Sequence, residues 1–182
     1  KSCDNKVFQN SRRSTKKRHI KGGKKFTHAV AVLAPNDNNI TGVVRLKETN
    51  KGMNIHYHIK GLSDGEHGFH IHTYGDLTDG CTSACSHFNP YKKYHGSLVS
   101  KQRHLGDLGN IRSKNNICKG KLFAKDISIY KNLNTSVLGR MIIVHADKDD
   151  LGIGNNEESK KTGNAGKRVA CGVIGLANVS YS

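Results

Sequence analysis

Six histidines and one aspartate stand in this chain where they could hold metal ions. His70 and His72 lie two apart in Gly68-Phe69-His70-Ile71-His72. On a strand that spacing puts both imidazoles on one face, near enough to share an ion. His87, His95 and His104 follow, and Asp107 comes three residues after the last of them. His145 closes the apolar run Met141-Ile142-Ile143-Val144. Imidazole suits copper and zinc, and a lone carboxylate among histidines suits zinc. Seven donors are too many for one tetrahedral site, so two adjacent sites account for them better. His56 and His58 have the same spacing as His70 and His72. Periodicity cannot separate the pairs, because both oppose an apolar face. Only His70 and His72 open onto a histidine-bearing loop, so His56 and His58 are expected to face solvent.

The elements that must position these donors read as strands. Apolar or alternating runs occupy residues 26–34, 40–47, 53–60, 68–72, 108–112, 117–129 with an interruption at Gly120, 140–145 and 168–176. No convincing amphipathic helix lies between them, which predicts an antiparallel sandwich or barrel. Residues 73–107 and 146–167 are long and rich in Gly, Ser, Asn and Asp. Loops of that length in a compact domain are usually functional, and most of the candidate donors lie in them or at their ends.

The chain has 182 residues, enough for one domain or a domain with a tail. No stretch approaches the ~18 apolar residues of a membrane-spanning helix. The net charge is +16, which attracts polyanions. Residues 1–25 hold ten Lys or Arg and one acid, Asp4. The run Arg12-Arg13-Ser14-Thr15-Lys16-Lys17-Arg18 has neither a helical nor a strand period, and Gly22-Gly23 follows it. Residues 1–24 therefore read as a basic, disordered arm ahead of a folded domain over 25–182. The arm could tether the protein to a glycan or nucleic acid, although no aromatic residues interleave its charges for base stacking. The first residue is Lys1 and no apolar leader follows, so any signal peptide is expected to be gone already. Cytoplasm and secretion both stay open. The sequons at Asn39, Asn134 and Asn178 are about as many as chance supplies.

Several segments together resemble one family. They are Gly68-Phe-His-Ile-His72, Gly80-Cys-Thr-Ser-Ala84, His87-Phe-Asn-Pro90, Arg103-His-Leu-Gly-Asp-Leu-Gly-Asn110, Asn156-Glu-Glu-Ser159 and Gly163-Asn-Ala-Gly-Lys-Arg-Val-Ala-Cys-Gly172. In this order they closely resemble copper/zinc superoxide dismutase over roughly residues 25–178. The resemblance implies an all-β, eight-stranded Greek-key barrel with two long functional loops. It implies one copper and one zinc ion per subunit, and dismutation of superoxide to oxygen and hydrogen peroxide as an antioxidant defence. His70, His72, His87 and His145 match the copper ligands, and His87, His95, His104 and Asp107 match the zinc ligands. His87 would bridge the metals and take part in proton transfer. Asp149 matches the carboxylate that links ligands of the two metals, and Arg168 the arginine that attracts the anionic substrate beside copper. Lys161, with Lys160 as an extra charge, and Glu157 and Glu158 resemble residues that shape the steering field.

The resemblance also pairs Cys81 with Cys171 in an intrasubunit disulfide. Cys85 departs from the family, standing where many members have glycine, and a buried or free thiol is expected there. Cys118 reads as structural, and Cys3 could pair between chains. The resemblance implies a homodimer through patches at Tyr74-Gly75, Val137-Leu138-Gly139 and Val173–Leu176. A non-enzyme on the same scaffold, a copper carrier or a decoy, is the competing reading. The complete ligand set and Arg168 favour the enzyme, and no separate Cys-rich metal motif supports a carrier.

Overall fold

A computed structural model describes residues 27–34, 39–129 and 131–178; the basic arm and Cys3 lie outside the described residues. Eight strands form: β1 (His28–Leu33), β2 (Thr41–Glu48), β3 (Met53–Lys60), β4 (Gly65–His72), β5 (Asp107–Ser113), β6 (Ile117–Ala124), β7 (Met141–His145) and β8 (Arg168–Leu176). The one described α-helix, α1 (Ser159–Thr162), is a single turn, and a 3₁₀ turn spans Thr82–Ala84. Strand order is β5-β4-β7-β8-β1-β2-β3-β6, and every neighbouring pair is antiparallel. β5 and β6, at the two ends of this order, pack against each other and nearly close a barrel. The neighbours β4 and β7 are distant in sequence, which is the Greek-key crossover. The expected all-β architecture and its two long loops are present.

Alternation along the strands makes the core. Ala29, Ala31 and Leu33 of β1, Val44 and Leu46 of β2, and Met53, Ile55 and Ile59 of β3 turn inward and are buried. Glu48 also turns inward, where one carboxylate oxygen accepts the Ile129 N–H at 3.1 Å and the other lies 3.2 Å from Lys131 Nζ. β4 and β7 differ from the rest, because β7 and the second half of β4 are buried on both faces. Phe69, Ile71, Ile142 and Val144 enter the barrel core, while Met141 and Ile143 pack outward against Ala84 of the first long loop. A strand covered on both faces gives up simple alternation.

Two boundaries differ from expectation. β4 begins at Gly65, three residues before the expected start. β6 runs through Gly120 without interruption and ends at Ala124 instead of 129. Gly120 is needed as glycine because a Cβ there would collide with the hydroxyl of Tyr57, its cross-strand partner. Tyr57 turns inward against Phe69, with ring centroids 5.7 Å apart. Beyond β6 the chain turns at Lys125-Asp126, and Asp126 accepts an Arg103 N–H at 3.1 Å. Ile127 and Ile129 still enter the core without strand pairing.

Candidate metal centre

β4 carries His70 and His72 on its outer, loop-covered face, beside Ile143 and Met141 of β7 in the register. His145 ends β7. The register of β7 on β8 shifts between Val144 and His145, which brings His145 opposite Arg168. Bulges of this kind re-aim side chains beside functional sites. His87 enters from the first long loop and is bridged to His72, and the Phe88 N–H donates to Ile71 O at 2.8 Å. Gly106 lies under this crossing. Its N–H donates to Phe88 O, its carbonyl accepts from Ile71, and a Cβ would collide with Ile71 O. His95 and His104 come from the same loop, and Asp107 begins β5.

All seven donors are buried and fall into two groups that share His87. His70, His72, His87 and His145 form one, and His87, His95, His104 and Asp107 the other, with ligand atoms within 4.8 Å of one another in each group. The His70 and His87 rings lie 4.2 Å apart by centroid, and His72 and His87 4.8 Å.

Hydrogen bonds on the far side of each ring choose the nitrogen that faces inward. His70 Nε2 lies 2.8 Å from Asp149 Oδ2, His72 Nδ1 2.6 Å from Cys85 O, and His145 Nδ1 3.0 Å from Gly166 O. The opposite atoms, His70 Nδ1, His72 Nε2 and His145 Nε2, are buried without a hydrogen-bond partner, as is His87 Nε2. Buried polar atoms are rarely left so. Four such nitrogens from four rings fit a copper ion. In the second group, Asp107 Oδ1 lies 2.8 Å from His87 Nδ1, 3.0 Å from His95 Nδ1 and 3.2 Å from His104 Nδ1. Asp107 Oδ2 is fixed separately by the N–H groups of His104 at 2.7 Å and Gly96 at 3.1 Å. Three imidazoles gathered on one carboxylate oxygen fit the donor set of zinc.

The electrostatics agree with this division. Burial, with the neighbouring His87, pushes His70 down to about 3. Burial likewise pushes His145 down to about 4 and lowers His72 and His87. These rings are neutral at pH 7, the form that ligates a metal. Asp107 behaves oppositely: burial alone would raise it, but its three histidines hold it far below the carboxylate range. Burial would lower His95, yet Asp107 and Asp149 hold it up to about 9.

Asp149 ties the two groups together. It is fully buried and accepts from His70 at 2.8 Å and from His95 at 2.7 Å. Its third close cluster, His70-His95-Asp149, is thus a hydrogen-bonded bridge. Asn110 fixes its backbone from both sides, donating to Asp149 O and accepting from Asp149 N, each at 2.8 Å.

Arg168 stands beside His145 with its guanidinium held by three loop carbonyls: Nη1 donates to Cys81 O at 2.7 Å and Thr82 O at 3.0 Å, and Nη2 to Cys85 O. Burial lowers its pKa. An open cavity above the histidines is lined by Arg168, Lys160, Lys161, Glu158 and Lys93. Glu157 lies outside that lining and pairs at the exposed rim with Lys160 at 2.8 Å. Glu158 accepts from Thr162 Oγ1 at 2.6 Å.

Sequence reasoning missed Lys93, Asn110 and His67. His67 spans Ser63 O and His145 O, each at 2.9 Å. Its place beside the His70 motif was the one available signal. The carbonyls of Cys85 and Gly166 carry no signal in residue type. His56 and His58 are exposed on the outer face of β3, as expected.

Cys81 and Cys171 form the expected disulfide across 90 residues. Cys85 is corrected: it too is disulfide-bonded, so the expected free or merely buried thiol is not found. Cys118 is the free cysteine among the described residues, and burial pushes its thiol up to about 11.

Comparison with known proteins gives the same answer. Residues 40–174 match the family profile described as copper/zinc superoxide dismutase (SODC). The chain is 49% identical over 156 residues to superoxide dismutase (Cu-Zn) of Paramecium bursaria Chlorella virus 1, covering 85% of this chain and 83% of that protein. It is 49% identical over 157 residues to that of Saccharomyces cerevisiae, covering 84% of this chain and all of the yeast protein. A crystal structure of the clock protein EA4 superposes with a TM-score of 0.80 at 40% identity, covering 86% of this chain and 98% of that one. The profile match, the matching fold and this level of identity leave one assignment: the chain belongs to the copper/zinc superoxide dismutase family.

Proposed function

We propose that His70, His72, His87 and His145 hold copper, that His87, His95, His104 and Asp107 hold zinc, and that Arg168 receives the substrate. The substrate of the family is superoxide: two superoxide anions and two protons give one dioxygen and one hydrogen peroxide. The carrying observation is the set of four buried, unpartnered imidazole nitrogens that converge beside a guanidinium. When bound, copper supplies the one-electron redox change and zinc a fixed positive charge on the far side of His87. Arg168 draws the anion in and orients it, because its three carbonyl partners fix the guanidinium plane and leave donors facing the cavity. His87 Nε2 would carry a proton only in the half of the cycle in which it is not a copper ligand, and would pass it to the peroxide being formed. Asp149 keeps His70 and His95 in the tautomers that leave their Nδ1 atoms for the metals. Lys161 and Lys93 at the rim attract the anion, and such steering raises encounter rates by ~10–10³. The test is superoxide decay followed by stopped flow with copper- and zinc-loaded protein. A second-order constant that far exceeds the metal-free rate supports the reading. Equality of the two rates refutes it and favours the carrier or decoy.

Two assembly features belong to the same proposal. The subunit pairs with a second copy through β1, β8 and the first long loop. Exposed Val32, Tyr74, Leu77 and Leu176 supply apolar surface there, and Val32 and Leu77 line one groove with Val173. Val137 is buried in the core, so of that segment only Leu138 and Gly139 reach the surface. Residues 1–24 act as a basic arm on the folded domain 25–182 and tether it to a polyanion. Removing them should weaken retention on heparin and leave turnover unchanged.

A further inference from the structure

The outward face of β2, β3 and β6 has a charge pattern that neither the metal centre nor the arm uses. Cross-strand register sets Arg45, His56 and Lys121 in one row, and Val43, His58 and Lys119 in the next. Lys47 and Lys60 stand in the flanking rows. Arg45, Lys47, Lys60, Lys119 and Lys121 are all exposed. No outward position of the three strands carries a carboxylate, because the one acid among them, Glu48, turns into the core. Among the described residues none of the five cations has an ion-pair partner, whereas other surface bases such as Lys148 and Lys131 do.

Each cation lies opposite a histidine or an uncharged residue and not opposite another cation, so the charges are spread over the face and share one uncompensated positive field. Neighbouring strands lie about 4.8 Å apart and successive outward positions roughly 6.7 Å apart. From Asn54 to Lys60 the positive field thus extends about 20 Å along β3, long enough for several repeats of an anionic chain. In strand order it is separated from β4 and β7, which carry the copper-side histidines, and from the apolar surface on β8.

We propose that this face binds a linear sulfated polysaccharide, laid along β3 across β6 and β2. Four of the five cations are lysines, point charges that bind anionic groups without a fixed bidentate geometry and so suit a flexible chain of dispersed anions. The face is the outside of a barrel and cannot fill a nucleic-acid groove. Phe123, at one end, is its single exposed aromatic ring, so it offers no series of platforms for base stacking.

The test uses the full chain and a heparin oligosaccharide. Lys119→Glu with Lys121→Glu should weaken binding at least tenfold. It should also lower the slope of log affinity against log salt by about two, one for each lost contact. The control, Lys92→Glu with Lys101→Glu, makes the same change in net charge on exposed loop positions and should cost less than threefold. Lysine acetylation of the unaltered protein, with and without the oligosaccharide, keeps the test independent of how the variants fold. Protection of Lys47, Lys60, Lys119 and Lys121 supports the proposal. Protection confined to residues 1–25, or equal losses in the two double variants, overturns it. Duplex DNA that displaces the oligosaccharide at lower concentration than unlabelled heparin also overturns it, in favour of a nucleic-acid surface.

Discussion

Asp149→Asn tests whether one carboxylate organises both halves of the centre. The substitution keeps the shape and removes one acceptor. Asp149 accepts from His70 Nε2 with one oxygen and from His95 Nε2 with the other. An asparagine amide can serve one of them through Oδ1, but its NH₂ then faces the N–H of the other ring, donor against donor. Both rings and the carboxylate are fully buried, so water cannot repair the mismatch. One unsatisfied buried donor costs about 1–3 kcal/mol. The ring escapes this cost by turning or by changing tautomer, and either change takes Nδ1 away from its metal. The expected result is a loss of about 10–100-fold in affinity for at least one metal, the range found when an outer partner of a ligating histidine is lost. Chelator competition with zinc and copper separately, at pH 7, reads this directly, and circular dichroism checks that the barrel is intact. Wild-type affinity for both metals in a folded variant would refute the reasoning.

Other consequences are simpler. Arg168→Ala should lower kcat/KM for superoxide about 10–100-fold, the worth of a charged hydrogen-bond donor, while metal content, measured by mass spectrometry, stays unchanged; loss of copper instead would make Arg168 structural. Cys171→Ser opens a disulfide that closes a loop of 90 residues and should cost about 4–5 kcal/mol on the chain-entropy account. Denaturant unfolding of the metal-free protein measures it, and an unchanged midpoint would show that packing alone holds the loop. Val32→Glu with Leu176→Glu places charge on the exposed apolar surface of β1 and β8 and should yield monomers by sedimentation. A dimer that survives would move the interface elsewhere.

The sequence by itself singled out the candidate ligands that the structure gathers into two groups, and it marked most of the strands. Ligand chemistry admits few residue types, and on a strand the i, i+2 spacing of His70 and His72 fixes a shared face. Alternation likewise marked β1, β2, β3 and β8, because one side of each faces the core and the other does not. Where both faces are covered, as on the second half of β4, alternation is erased, and the start at Gly65 was misjudged because Gly65-Glu66-His67 carries no apolar residue to mark it. Gly120 read as a break because its reason for being glycine, the hydroxyl of Tyr57, lies on another strand. The separation of His70 and His72 from the equally spaced His56 and His58 rested on the histidine-bearing loop that follows them in sequence, and His56 and His58 are exposed. Tertiary structure alone decided which nitrogen of each ring faces inward. For His72 and His145 that choice is made by the carbonyls of Cys85 and Gly166, and every residue has a carbonyl. It also decided that Lys160 pairs with Glu157, that Cys85 is not a free thiol, and that the cations of β2, β3 and β6 share one face. Each of these depends on what lies opposite in space, and a chain lists its residues only in order.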